Sequence, residues 1–188
     1  MKTLIEAHLR ASSQTKLSLL SSVPLLEQMI TTLYSVVSAG GRIYAAGNGG
    51  STCDAMHFTE ELVARYDRER PGIAAQHLCD VGTITCWAND YSFDSVFSRQ
   101  VETLVTNRDA LVVFSTSGNS RNILAALEAA AKKGAVTIAL LGKGGGKAKS
   151  LAKIALVVES DVTAHIQEAH ITIVHILCEG LERKLLGI

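Results

Sequence analysis

A chain of 188 residues, 47% hydrophobic but only 5% aromatic, is long enough for one domain with an aliphatic core. Its 18 basic and 18 acidic residues cancel with no block of like charge, which argues against nucleic acid or an anionic membrane as the main ligand. No signal-like segment opens the chain, no apolar run reaches membrane-spanning length, and Cys53, Cys79, Cys86 and Cys178 show no C-x-x-C spacing. The expectation is a cytoplasmic protein with free thiols.

Apolar positions Leu4, Ile5, Leu9, Leu17 and Leu20 follow helical spacing over about 3–21, interrupted at Ser12-Ser13. A second helix starts at Pro24 and runs through Met29, Leu33 and Val36 to a stop at Gly40-Gly41. Residues 1–40 thus form a helical pair ahead of any strand. Its surplus apolar positions point to an oligomer interface, with packing on the domain's own sheet as the plainer alternative.

Residues 42–46 read as a short buried strand, followed by the turn Gly47-Asn48-Gly49-Gly50 and a helix with Ser51 as N-cap and Asp54 in a capping-box variant. A strand, a glycine-rich turn and a helix N-terminus present backbone N–H groups to an anion. On that helix His57 and Glu61, four residues apart, share a face. The plainer alternative is a surface helix after a tight turn.

A charged loop over 65–72 leads to a strand over 73–78, then a short helix from Asp80 to Ala88 ended by Asn89-Asp90, and a further helix over 93–105. The fully apolar 110–114 is the clearest strand in the chain. It runs into Ser115-Thr116-Ser117-Gly118-Asn119-Ser120, a second polar turn suited to a phosphate without any P-loop lysine; a well-capped helix start is the alternative. A helix over 122–133 and a strand over 135–141 follow. Gly142-Lys143-Gly144-Gly145-Gly146-Lys147 lacks Walker spacing and reads as a mobile connection. After a last strand over 154–158, a helix over 165–186 carries Gln167, Glu168, His170 and His175. This alternation predicts an α/β fold, a doubly wound parallel sheet with helices on both faces and ligands at the carboxyl ends of its strands.

Gly47 to Ser51, Asp54-Ala55-Met56-His57-Phe58 with Glu61-Leu62, Ser115 to Ser120, and Ile166-Gln167-Glu168-Ala169-His170 with His175 together resemble the sugar isomerase (SIS) family, and within it the phosphoheptose isomerases. The resemblance spans nearly the whole chain and is weakest in the first forty residues. It implies a single SIS domain over 1–188 with five parallel strands flanked by helices, and a homotetramer. It also implies conversion of sedoheptulose 7-phosphate to D-glycero-D-manno-heptose 7-phosphate, which feeds ADP-heptose for the lipopolysaccharide core. Carried over by position, it puts substrate contacts at Asn48, Gly49, Gly50, Ser51, Glu61, Asn89, Asp90, Ser115, Thr116, Ser117, Ser120 and Gln167. It places one zinc ion per subunit on His57, Glu61, Gln167 and His175, with Glu61 and His175 catalytic. Alone, His175 reads equally as a buried helix histidine. The sequence departs from some relatives at Ala164-His165, where they carry Asp-Arg.

Such an isomerase moves a carbonyl between C2 and C1 through an enediolate, with one base reaching both carbons and a group stabilising the oxyanion. Glu61 suits the carbon-bound proton and His175 the oxygens or ring opening. Two rival readings remain at this level. One is a non-catalytic SIS adaptor, like the relatives that bind the bacterial replication initiator; the other is an isomerase of a different sugar phosphate.

Overall fold

The computed structural model describes residues 1–188. Its first forty residues form helix α1 (Lys2–Ser18), a short 3-10 turn (Leu19–Ser22) and helix α2 (Val23–Ser38). Helix α1 runs unbroken through Ser12-Ser13, contrary to the interruption expected there. Ser12 is buried and its hydroxyl donates to the Glu168 carboxylate, so a residue that would otherwise compete with the helix backbone has an acceptor elsewhere. In α2 the buried positions Leu26, Met29, Leu33 and Val36 recur every three or four residues, and Pro24 sits in the first turn, where its missing N–H costs nothing. In α1 only Ser12 and Thr15 are buried, while Leu4, Ile5, Leu9 and Leu17 lie exposed.

Five strands form one parallel sheet: β1 (Ile43–Gly47), β2 (Ala75–His77), β3 (Ala110–Ser115), β4 (Val136–Leu141) and β5 (Ile154–Val157), in the order β2-β1-β3-β4-β5. Strands β1 and β3 are buried along their whole length, which suits unbroken apolar runs. Strand β2, at the sheet edge, is shorter than the expected 73–78, and its side chains are only partly covered. Ile73 and Leu78 still pack in the core on either side of it.

The connecting helices are α3 (Gly50–Val63), α4 (Val81–Asp90), α5 (Val96–Leu104), α6 (Arg121–Lys132), α7 (Ala148–Leu151) and α8 (Thr163–Leu186). The chain leaves β1 toward β2 on one side, then returns to place β3 on the other. Right-handed crossovers therefore put α3 and the α4–α5 pair on opposite faces. Helix α8 packs against α1, α2 and α3, and α5 packs against α6. The reversal of strand order falls between β1 and β3, where Gly47 pairs with Phe114 and the two carboxyl ends part. A crevice at that point is the ligand position such sheets provide. No helix is long and apolar enough to cross a membrane.

Candidate active site

The β1–α3 turn departs from its expected capping. Gly49, not Ser51, is the N-cap, with φ of 57° and no side chain closing the first turn. A left-handed backbone at that position favours glycine, and the first turn closes on the backbone itself, the Ser51 and Thr52 amides donating to the Asn48 and Gly49 carbonyls at 3.1 and 3.0 Å. Ser51 lies inside the helix and is buried. Asp54 caps nothing either. It is buried with Oδ2 unpartnered, and burial pushes its carboxyl up to about 6, against the pull of His57.

The β3–α6 turn is folded on itself. Ser115 Oγ accepts from the Gly118 amide at 3.1 Å and Ser117 Oγ from the Asn119 amide at 3.2 Å. The Gly142 to Lys147 connection, expected to be mobile, is docked on this turn. Ala148 N donates to the Gly118 carbonyl at 2.9 Å, Lys147 N donates to Asn119 Oδ1 at 3.1 Å, and a Cβ on Gly118 would meet the Gly145 oxygen at 1.9 Å. Asn48 and Asn122 exchange two amide hydrogen bonds, at 2.8 and 2.9 Å, and so join the two polar turns across the crevice. Asn122 carries no motif of its own; only the pairing gives it away.

Between the turns lies a cavity of about 270 Å³. Of the sequence-predicted substrate residues, Asn48, Gly49, Gly50, Ser51, Ser115, Thr116, Ser120 and Gln167 line it, joined by Phe114 and Thr163. No lysine or arginine does. Gln167 packs tightly on the turn, since a Cβ on Gly50 would fall 2.6 Å from its Nε2. Ser117 is not in the lining; its hydroxyl faces the Asn119 amide. Asn89 and Asp90 also lie outside, exposed in the last turn of α4 and hydrogen-bonded to each other at 2.9 Å.

A second cluster stands on the helices. His57 Nε2 and Glu61 Oε1 are 3.1 Å apart on α3, and His175 Nε2 on α8 is 3.4 Å from His57 Nε2. One donor atom from each of the three lies within 4.8 Å of the others. Two imidazole nitrogens and a carboxylate oxygen, all half-buried, are the donor set of a three-ligand zinc site with a position left for water or substrate. Gln167, the fourth expected ligand, sits two turns earlier on α8 with its amide at the cavity. His170 takes no part. It is fully buried, Nε2 donates to the Leu141 carbonyl at 3.2 Å, and burial pushes its imidazole down to about 4, so it stays neutral near pH 7.

The arrangement therefore pairs a cation-free, hydroxyl- and amide-lined anion cavity with an acid–base and metal-capable cluster. The SIS domain family matches residues 19–142. A phosphoheptose isomerase from Geobacter sp. (strain M21) is 45% identical over 183 residues, covering 96% of this chain and 95% of the relative. One from Helicobacter pylori (strain P12) is 47% identical over 169 residues, covering 89% and 88%. The solved structure of a phosphoheptose isomerase from Francisella tularensis superposes with a TM-score of 0.93 at 37% identity, covering 97% of this chain and 100% of that one. Sequence, fold and site agree, and the chain belongs to the SIS-domain family, among the phosphoheptose isomerases.

Proposed function

We propose that the chain interconverts sedoheptulose 7-phosphate and D-glycero-D-manno-heptose 7-phosphate, at the entry to ADP-heptose and the lipopolysaccharide core. The observation that carries this reading is the meeting of Glu61 and His175 on α3 and α8, the same two helices whose first turns line the cavity suited to a phosphate. In the forward direction Glu61 takes a proton from C1 of the open-chain ketose and returns it to C2, while His175 exchanges the proton between O2 and O1. An enediolate forms between these transfers, and no electrons leave the substrate. Ser51, Ser115, Thr116 and Ser120 hold the phosphate with hydroxyls and backbone amides, which keeps C1 and C2 at the cluster.

The donor set of His57, Glu61 and His175 suits one zinc ion per subunit, with a fourth position for water or substrate. When bound, zinc supplies Lewis-acid polarisation of a carbonyl oxygen. An adaptor that only bound a partner would leave a converging carboxylate and imidazole pair without a role.

The exposed apolar face of α1, with Leu4, Ile5, Leu9 and Leu17, fits burial in a homotetramer. In such an assembly Arg65, Asn89 and Asp90, all exposed in this chain, are available to a neighbour's site. Four free cysteines and a phosphorylated sugar substrate fit the cytoplasm.

The test is turnover by zinc-supplied protein of sedoheptulose 7-phosphate against hexose and amino-sugar phosphates. The heptulose is expected to lead in kcat/KM by roughly 10–200-fold, the usual yield of one well-placed group. No turnover of the heptulose, or preference for a hexose phosphate, would refute the assignment.

A further inference from the structure

The charged 65–72 loop, which leaves α3 for β2, turns back over the ends of the two helices that carry the cluster. Inside it Arg70 and Glu182 pair, with Arg70 Nε donating to Glu182 Oε2 at 3.2 Å and side chains 1% and 0% exposed. The guanidinium has further partners. Nη2 donates to the carbonyl of Glu61 at 2.8 Å, and Nη1 to the carbonyls of Leu62 at 3.0 Å and Pro71 at 3.1 Å. From the other side, Glu182 accepts the Arg68 amide at 2.8 Å and the Asp67 amide at 3.4 Å. One guanidinium thus grips the backbone of the cluster's own carboxylate residue on α3 and, through Glu182, fastens it to α8. On α8, His175, Cys178 and Glu182 follow at helical spacing, so the cluster histidine and the clamp carboxylate share a stripe.

A buried ion pair gives little net stability over apolar residues of the same volume, because desolvation offsets the attraction. Its directional bonds do fix geometry, and here they fix the distance between two helices whose side chains must meet. We infer that Arg70 and Glu182 are positioning residues: they set the α3–α8 register at which Glu61 and His175 converge, and through it the metal affinity and turnover of the cluster. The inference rests on the reading of that cluster as a zinc-dependent catalytic centre. Neither residue lines the cavity, so neither contributes to phosphate binding.

The test uses Arg70→Lys and Glu182→Gln in the full chain, with Arg121→Ala, which removes an exposed ion pair to Asp94, as the control. Zinc affinity of chelator-stripped protein is measured by competition with a chromophoric chelator. It is read beside kcat, KM and the melting temperature, at a temperature below every melt. Both clamp variants are expected to weaken zinc binding by about 10–100-fold, the usual effect of losing an orienting partner behind metal ligands. Turnover should fall in parallel, KM for the sugar phosphate should hold within about twofold, and the control should match wild type. Wild-type zinc affinity and kcat in both clamp variants, with only the melt lowered, would reduce the pair to scaffold and overturn the inference. So would a Glu182→Gln protein too unstable to assay, since the pair would then determine folding and not the site. If the wild-type protein itself binds no zinc, the reading of the centre falls first, and that outcome is distinct from wild-type binding with unaffected variants.

Discussion

The cavity at the strand ends and the cluster on the helices are built by opposite means. The cavity is made largely of backbone: two strand-to-helix turns, a left-handed Gly49, and hydroxyls spread over Ser51, Ser115, Thr116 and Ser120. No single side chain carries it, and the Asn48–Asn122 pair and the docked Gly142 to Lys147 connection support it from outside. The cluster is three side chains from two helices, brought within 4.8 Å by packing that neither helix encodes alone. Binding should therefore degrade in steps as cavity groups are removed one by one, while chemistry should fail at once when a cluster group is lost.

The sharpest way to break this contrast is Glu61→Gln. The amide keeps the shape and cannot take a proton, so kcat should fall by at least about 100-fold, with KM and melting temperature near wild type. A loss shared equally between KM and kcat would mean that the two regions are not separable. Metal removal comes next. Prolonged chelation should lower turnover by at least about tenfold, with zinc restoring it in the wild type but not in His57→Ala, as a site of three donors requires. Activity indifferent to chelators would leave His57 as a hydrogen-bond partner of Glu61 only.

Effects in the cavity should be smaller and should appear in KM. Ser120→Ala should raise KM by roughly tenfold, the value of one hydrogen bond to a charged group. Ser117→Ala should change KM by no more than about twofold, since its hydroxyl is occupied by the Asn119 amide. Equal effects from the two serines would show that the phosphate reaches further along the turn than its lining suggests.

A further effect, read in stability and not in turnover, separates the two regions by charge. Asp54 lies on α3 between them, with a folded-state carboxyl raised to about 6 by burial. The folded protein then holds a proton that the unfolded chain releases near pH 4, so this residue's contribution to stability falls as pH rises from 4 to 6. Relative to Asp54→Asn, chelator-treated wild-type protein should lose about 2 kcal/mol over that window and level off by about pH 7. Parallel unfolding curves for the two proteins across that pH range would show that water reaches the carboxylate.

What the sequence made legible follows the same division. The unbroken apolar run at 110–114, the mostly apolar 135–141, and polar turns after 46 and 114 are local signals, and they located the sheet and the cavity. Capping was misread because Ser51 and Asp54 satisfy a local pattern that Gly49 overrides once the turn must adopt a positive φ. Ser12-Ser13 resembles a break because nothing local reveals the Glu168 carboxylate that receives Ser12. Arg70 and Glu182, 112 positions apart, read as ordinary charges in a loop and a terminal helix. Only the folded chain shows that they meet. His57 and Glu61 could be paired by helical spacing, but His175 joined them on family resemblance, because its approach depends on how α8 lies on α3.

The central claim is that Glu61 carries a proton between neighbouring carbons of a sugar held by its phosphate. Conversion of sedoheptulose 7-phosphate in deuterated water, followed by NMR with zinc supplied, tests it most directly. The expected result is an aldose product labelled with deuterium at C2 from the wild type, and neither product nor label at a comparable rate from Glu61→Gln. A product free of deuterium at C2 throughout the reaction, or labelled product from Glu61→Gln at the wild-type rate, would contradict it.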